Sequence, residues 1–574
     1  MKAMTDLTGV LGGAAFAGAV RSLVAVADPL QLLALGEPTH GEPAFPALRN
    51  RIFEILAGQG FRSIAIESDR VAALRVDAYV RGGTGTLDAV LAEGFSHGMG
   101  RLAANRELVA WMRAYNDGRP PAGQLAFHGF DAPLEMTGAP SPRPFLEHLH
   151  GYLTAHLGPG PVRHRRTDLD RLLGDDGRWS DPAALMNAAR SVGASSDAVA
   201  LRAAADDLLT MLYAHAPGLV AASSRAEWQR AEVHATTALG LLRYHGQAAE
   251  PAPPAERTSR LLGVRDALMA RNLLDIRTGE QHRGATLVFA HNRHVQRHAG
   301  TWRLADMDLL WSGAGSILAA LLGDRYRVVI GSLGASTALG LAAPPPDTYE
   351  GALDAVTDGC ALVDAARLRR DGSLRPRTDV TAEQGYFPLD ATTLAHCEAV
   401  LHVARAPRQP RPADLPGPAP AELAGRIVAL PDVTVVLAGP GSIAPRSSWG
   451  DRFFFAGAER HRPFATIVEH DTDGFDEDSR LHRPGAFRLN IELGRAEFTR
   501  RFGFAPADFA HHRAAIDFTR PDELLPHPLY AGQGWACVIN PGPRVLPELD
   551  RLLAHAHRRA HDRHRRSLDR GQGR

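Results

Sequence analysis

Leu32-Leu33-Ala34-Leu35 runs directly into Gly36-Glu37-Pro38-Thr39-His40-Gly41-Glu42. An apolar run without polar alternation suits a strand buried on both faces of a sheet. The next Gly and Pro stop the strand, and 44–57 then carries apolar residues at helical spacing. Further runs at 62–66, 124–127, 286–290, 326–330 and 399–403 read as strands of the same kind. Between them 101–116, 195–246, 258–277 and 313–322 read as helices. This alternation predicts an α/β fold, a mainly parallel sheet flanked by helices. The segment of about 140–280 has no strand signal and is expected to be a helical insertion, with a hairpin ending at Glu250-Pro251-Ala252-Pro253-Pro254-Ala255.

The carboxyl ends of these strands carry chemistry. The first ends in Glu37 and His40, the second in Glu67-Ser68-Asp69, the third in His128-Gly129-Phe130-Asp131, and the fourth in His291-Asn292-Arg293-His294. In open α/β sheets the ligand crevice lies at the carboxyl ends of the strands. Alone, Thr39 or Asp131 reads as a helix cap and His291 as a loop residue. Together, Glu37, His40, Glu67, Asp131 and His291 fall along one edge, and the pattern reads as a site.

Composition narrows the classes. Lys+Arg and Asp+Glu both count 64, so the chain lacks the basic excess of a phosphate-backbone binder, and no nucleic-acid partner is expected. Lys2 is the sole lysine. Three scattered cysteines, Cys360, Cys397 and Cys537, exclude a disulfide framework and fit a reducing cytoplasm. Arg21 and Asp28 interrupt the apolar stretch 7–30, which is expected to form an amphipathic helix and not a signal or membrane segment. The chain is long enough for several domains. Pro407–Pro420, PRQPRPADLPGPAP, reads as an extended spacer, so the expected division is 1–405, a linker at 406–421, and 422–574. Strand-like runs at 433–436, 452–455, 464–468, 487–491 and 536–539, with helices near 495–502 and 545–560, predict a C-terminal α+β domain with an antiparallel sheet.

GEPTHGEPAFPALRNRIFEIL (36–56) resembles the GE-x-THG…R signature of the erythromycin esterase family. FRSIAIESD (61–69), ELVAWMRAYN (107–116), RDALMARNL (265–273) and LVFAHNRHV (287–295) resemble its further blocks in the same order. The resemblance covers about 10–405, with Pro38 replacing the family's usual small residue. It implies ester hydrolysis, in known members the opening of a macrolide lactone by water, without a cofactor. Under that reading His40 is the base, because imidazole titrates near working pH. Glu37 fixes its tautomer or orients the water, and Glu67 shares that task. Arg49, nine residues after His40, offers a charged fork for a carboxylate or a developing anion. His291 supplies an oxyanion donor or the leaving-group proton. His294, Asp131, Ser96 and His97 are the expected substrate contacts.

Two other readings compete. Gly94-Phe95-Ser96-His97-Gly98 matches the nucleophile elbow GxSxG, but that motif needs a strand before the serine, and 87–93 reads as helix. His291, His294 and His298 have helical spacing and, with Glu37, His40 and Glu67, could ligate a divalent metal. A metal-dependent hydrolase and a binding protein for a hydrophobic ligand thus remain alternatives. The expected partner is a small-molecule ester or macrolide. In the C-terminal part, GDRFFF, PFATIV, FRLNI, HPLY and W-x-C-V-x-NP are similar to a small uncharacterised actinobacterial domain family. His527, Trp535 and Asn540 there read as core and turn residues, and the Arg/His-rich tail from His555 as a solvated end.

Overall fold

The computed structural model describes residues 5–6, 14–25, 30–134, 138–304, 307–336, 339–357, 359–381, 384–405, 417–439, 448–457, 462–472, 476, 478–479, 481, 486–513 and 516–571. It divides into two units, Met1–Pro407 and Arg408–Arg574. Most of the Pro-rich spacer, 406–416, lies outside the described residues. Among the described residues no helix is long and apolar enough to cross a membrane.

The first unit is built on an eight-stranded sheet. Its strands are β1 (Thr5–Asp6), β2 (Leu32–Glu37), β3 (Ser63–Asp69), β4 (Ala126–Asp131), β5 (Thr286–His291), β8 (Tyr326–Ala335), β9 (Cys360–Asp364) and β10 (Ala399–Arg405). A separate hairpin supplies β6 (Gly300–Leu304) and β7 (Met307–Trp311). The order is β1-β9-β10-β8-β2-β5-β3-β4. The six strands from β10 to β4 are parallel, and β9 runs antiparallel to β10 and β1. The sheet is therefore mainly parallel, as its apolar runs predict; β2 and β5 are buried at every position. Chain order moves outward from β2 to β3 and β4, then returns to insert β5 between β2 and β3 before crossing to β8. That reversal opens a crevice at the carboxyl ends of β2, β5 and β3.

Four of these strands run farther than the apolar runs alone indicate, so that Glu37, Asp69, Asp131 and His291 are themselves final strand residues. The insertion is helical from Arg143–Leu157 to Pro254–Glu280 and packs its own leucine-rich core. The expected single helix 195–246 is instead three, Ser196–Ala214, Ala216–Ala222 and Arg225–Ala249. Pro217 opens the second, where a missing N–H costs nothing, and Ser224 caps the third by accepting the Glu227 N–H at 3.1 Å. The long helix Pro254–Glu280 serves two cores: Leu261 packs into the insertion, whereas Met269, Leu273 and Ile276 pack against the sheet. Its middle turn thereby faces the crevice. The hairpin β6–β7 and strand β9 were not among the expected elements.

The second unit contains the antiparallel sheet β11 (Val433–Leu437), β12 (Arg452–Ala456), β13 (Ala465–Val468), β14 (Arg488–Glu492), β16 (Trp535–Ile539) and β15 (Leu525–Pro526), in that order. The helix Leu546–Gly571 lays Leu549, Leu552 and Ala556 into a core with Phe464, Leu489 and Val538. This is the α+β arrangement the sequence predicts.

Candidate active site

Parallel register places the site. Glu37 on β2 and His291 on β5 are direct partners at the strand ends. On the far side of β5, β3 carries Glu67 one residue past its last pairing with that strand, Ile66 with Phe289. Gly36 must lack a side chain, because a Cβ there would stand 2.1 Å from Asn292 Oδ1. Asn292 uses that room to clamp β8: its Nδ2 donates to Gly331 O at 2.8 Å, and Gly331 N donates to its Oδ1 at 3.0 Å. Gly41, at φ +86°, turns the chain back after His40, a conformation that costs any L side chain about 1–2 kcal/mol.

His40 donates from Nδ1 to Glu37 Oε1 at 2.8 Å. That bond leaves Nε2 as the basic nitrogen, 3.8 Å from Glu67 Oε1, and the ring keeps 51% of its surface open. Burial against the crevice pulls its pKa down, but the Glu67 and Glu37 carboxylates outweigh this and raise it above 6.5.

His291 is tuned the opposite way. Burial, with the charge of His40 beside it, pushes its pKa well below 6.5, so the ring is neutral. Its Nδ1 accepts the Arg293 backbone N–H at 3.2 Å, which puts the ring proton on Nε2. The two rings stand with centroids 5.0 Å apart. The crevice therefore presents a base, His40 Nε2, and a neutral donor, His291 Nε2–H, side by side.

Glu67 is the hub. Its Oε2 accepts the His291 backbone N–H at 2.8 Å, and its Oε1 lies 3.4 Å from His294 Nε2 and 3.5 Å from Arg265 Nη2. Burial would raise its pKa, but His294, His40 and Arg265 overcome this and hold the carboxyl far below the ordinary range. His294 donates from Nδ1 to Asp266 Oδ1 at 2.8 Å. Burial opposes its charge, yet Asp266 and Glu67 push its pKa up to about 9. It is an imidazolium that grips Glu67.

Arg265 and Asp266 are the site residues that strand-end reasoning misses, although both open the 265–273 block. Arg265 makes two bonds to Asp131, Nε to Oδ1 at 3.1 Å and Nη2 to Oδ2 at 2.6 Å. Asp131, fully buried, thus anchors Arg265 and also meets His97 Nε2 at 3.3 Å, where a substrate contact was expected. Ser96 comes after the helix Leu87–Glu93, so the elbow lacks its strand. Its Oγ accepts the Asp69 N–H at 2.9 Å and bonds Ser68 Oγ at 3.3 Å. Arg49 is buried on Ala44–Ala57, donating to Asn50 Oδ1 from Nε at 3.1 Å and Nη2 at 2.7 Å, so its charge reaches Glu37 only through space. Of the three imidazoles whose spacing allowed a shared face, His291 and His294 both border Glu67, and His298 does not join them. The helix Asn292–Val295 is one turn long, and His298 meets Thr393 Oγ1 at 3.1 Å. Among the described residues no three His, Cys, Asp or Glu side chains converge as a metal cage.

The family model described as erythromycin esterase matches residues 56–402, and that of a family of unknown function, DUF6194, matches 419–569. A crystal structure of a Bacillus cereus protein is 17% identical, with a TM-score of 0.51, over 71% of this chain and 94% of that one. A mutant of the erythromycin esterase EreC in its open conformation is 17% identical, with a TM-score of 0.47, over 67% of this chain and 93% of that one.

Proposed function

This chain belongs to the erythromycin esterase family, and on that footing we propose that it hydrolyses a carboxylic ester or macrolide lactone with a water activated by His40. The single observation that carries the reading is the pairing of a carboxylate-backed imidazole, His40 on Glu37 at 2.8 Å, with the neutral ring of His291 beside it. His40 Nε2 takes a proton from water as the oxygen attacks the carbonyl carbon. Glu37 stabilises the imidazolium that results, by a charge-assisted hydrogen bond. His291 Nε2–H donates to the oxygen on which negative charge develops, and being uncharged it holds its proton through the step. The tetrahedral species collapses, the C–O bond breaks, and His40 returns its proton to the leaving alkoxide. One water is consumed, and acid and alcohol result, in one molecule when the substrate is a lactone.

Glu67 orients rather than reacts. Its ionised carboxylate, held by His294 and Arg265, accepts a hydrogen bond from the attacking water and keeps it beside Nε2. Every proton in this scheme moves among the attacking water, protein groups and substrate, so a chelator leaves the rate unchanged. The test is incubation with a panel of macrolides, lactones and simple esters, read by mass spectrometry. Gain of one water's mass on a lactone, or release of acid from an ester, supports hydrolysis; tight binding without product from any member would favour a binding protein.

A further inference from the structure

We infer that Arg293 is an anion receptor at the rim of this site, so that the substrate is an ester bearing a carboxylate or phosphate group; the inference rests on the esterase reading above. Arg293 is tied to the reacting centre by its own backbone, whose N–H donates to His291 Nδ1 at 3.2 Å. Its guanidinium carbon lies 4.4 Å over the ring of Phe387, and that ring meets His291 edge-on at 5.3 Å. The charge therefore sits one aromatic ring away from the proposed oxyanion donor.

The guanidinium is uncommitted. Among the described residues it has no hydrogen-bond or ion-pair partner, and its Nε is buried without an acceptor. The contrast with its neighbours is direct: Arg265 is bidentate on Asp131, and Arg49 is held by Asn50. Asp390 acts on Arg293 only through space. Stacking on Phe387 uses the guanidinium's face and leaves its terminal Nη–H groups outside the stack.

The platform under Arg293 is fixed. Glu350 Oε1 accepts Tyr386 O–H at 3.0 Å and the Leu389 N–H at 2.7 Å, so both flanks of Phe387 are tied to one buried carboxyl group. The Phe387 N–H donates to Pro38 O at 3.4 Å, which links this segment to the turn that carries His40. Trp302 from the β6–β7 hairpin meets Phe387 edge-on, with ring centroids 6.2 Å apart. A planar fork on a rigid ring suits bidentate recognition of carboxylate or phosphate, whereas a cationic substrate group would be repelled there.

The test compares phenyl pentanoate with 4-carboxyphenyl pentanoate, 4-phosphonooxyphenyl pentanoate and monophenyl glutarate, using the wild type, Arg293→Ala and Arg293→Lys. Calorimetry with benzoate and phenyl phosphate runs in parallel. The expected result is a KM lower by about 10–100-fold for at least one anionic ester, as for a charged hydrogen-bond pair. That preference should vanish in Arg293→Ala and survive in part in Arg293→Lys. The carboxylate and phosphate arms identify which anion fits. A wild-type KM indifferent to charge, or a preference that persists in Arg293→Ala, overturns the inference while leaving the esterase intact. If no ester turns over, benzoate or phenyl phosphate bound by the wild type but not by Arg293→Ala upholds the receptor and removes the esterase; binding of neither overturns the receptor.

Discussion

Asp266 accepts the Nδ1–H of His294 at 2.8 Å, and its other oxygen accepts the indole N–H of Trp311 at 2.8 Å. A third donor, the Ala314 backbone N–H, reaches Oδ1 at 2.8 Å. This carboxylate is the largest of the influences that keep His294 charged, and His294 in turn is the largest of those that hold Glu67 ionised. Asp266→Asn keeps the shape and removes the charge. Its His294 pKa, about 9 in the wild type, should fall toward 6.5, and kcat/KM should drop by about 10–100-fold, the worth of a charged hydrogen bond. Titration of the His294 ring by NMR checks the first, and steady-state kinetics the second. An unmoved pKa would remove Asp266 from the account.

His294 also makes stability depend on alkaline pH. Its folded pKa, about 9, lies above the ordinary 6.5, so its contribution is fully present below pH 6.5 and is lost as pH rises through about 9. The shift corresponds to at most roughly 3 kcal/mol. Denaturant unfolding at pH 6.5 and 9.5 should give a lower stability at the higher pH. In His294→Gln that difference should shrink; an equal loss in both proteins would place the titration elsewhere.

Activity should trace a bell in pH. The rising limb of kcat/KM belongs to His40 losing its proton, and because Glu67 and Glu37 outweigh burial it lies above 6.5. The falling limb near 9 belongs to His294. Glu37→Gln removes one of the carboxylates that raise His40, so its rising limb should move to lower pH while the maximum falls. A limb that stays in place would show that Glu37 does not act on the base.

Gly36→Ala tests the packing beneath the site. The new Cβ would meet Asn292 Oδ1 at 2.1 Å and Val295 Cγ2 at 3.1 Å, so the clamp between Asn292 and Gly331 must open. A loss of about 1–3 kcal/mol is expected, as for overpacking and an unmet buried amide. Thermal unfolding within about 0.5 kcal/mol of wild type would contradict that packing.

The strand-end acids and imidazoles were legible because a parallel sheet brings the ends of distant strands to one edge. Glu37, Glu67 and His291 needed only that rule. Arg265 and Asp266 were not, because they project from the middle of a 27-residue helix, where an Arg-Asp pair looks like any solvated face. Only the helix's passage from the insertion core to the sheet turns them inward. The hairpin at 300–311 was obscured because its strands are only five residues long and alternate, Thr301 and Arg303 exposed against half-buried Trp302 and Leu304, without the continuous apolar run by which the sheet strands are read. Ser96 was separated from the elbow reading by its preceding helix, a local feature, whereas its bonds to Ser68 and Asp69 depend on tertiary contact.

In the proposed mechanism the nucleophile is a water activated by His40 and not Ser96, and the most direct measurement compares kcat/KM of His40→Ala and Ser96→Ala on the best ester of the panel. His40→Ala should lose about 10²–10⁴-fold, the usual worth of a positioned base. Ser96→Ala should stay within a few-fold of wild type, losing at most about 1–2 kcal/mol of stability with its buried hydrogen bonds. A dead Ser96→Ala together with an active His40→Ala would contradict the account and make the serine the nucleophile.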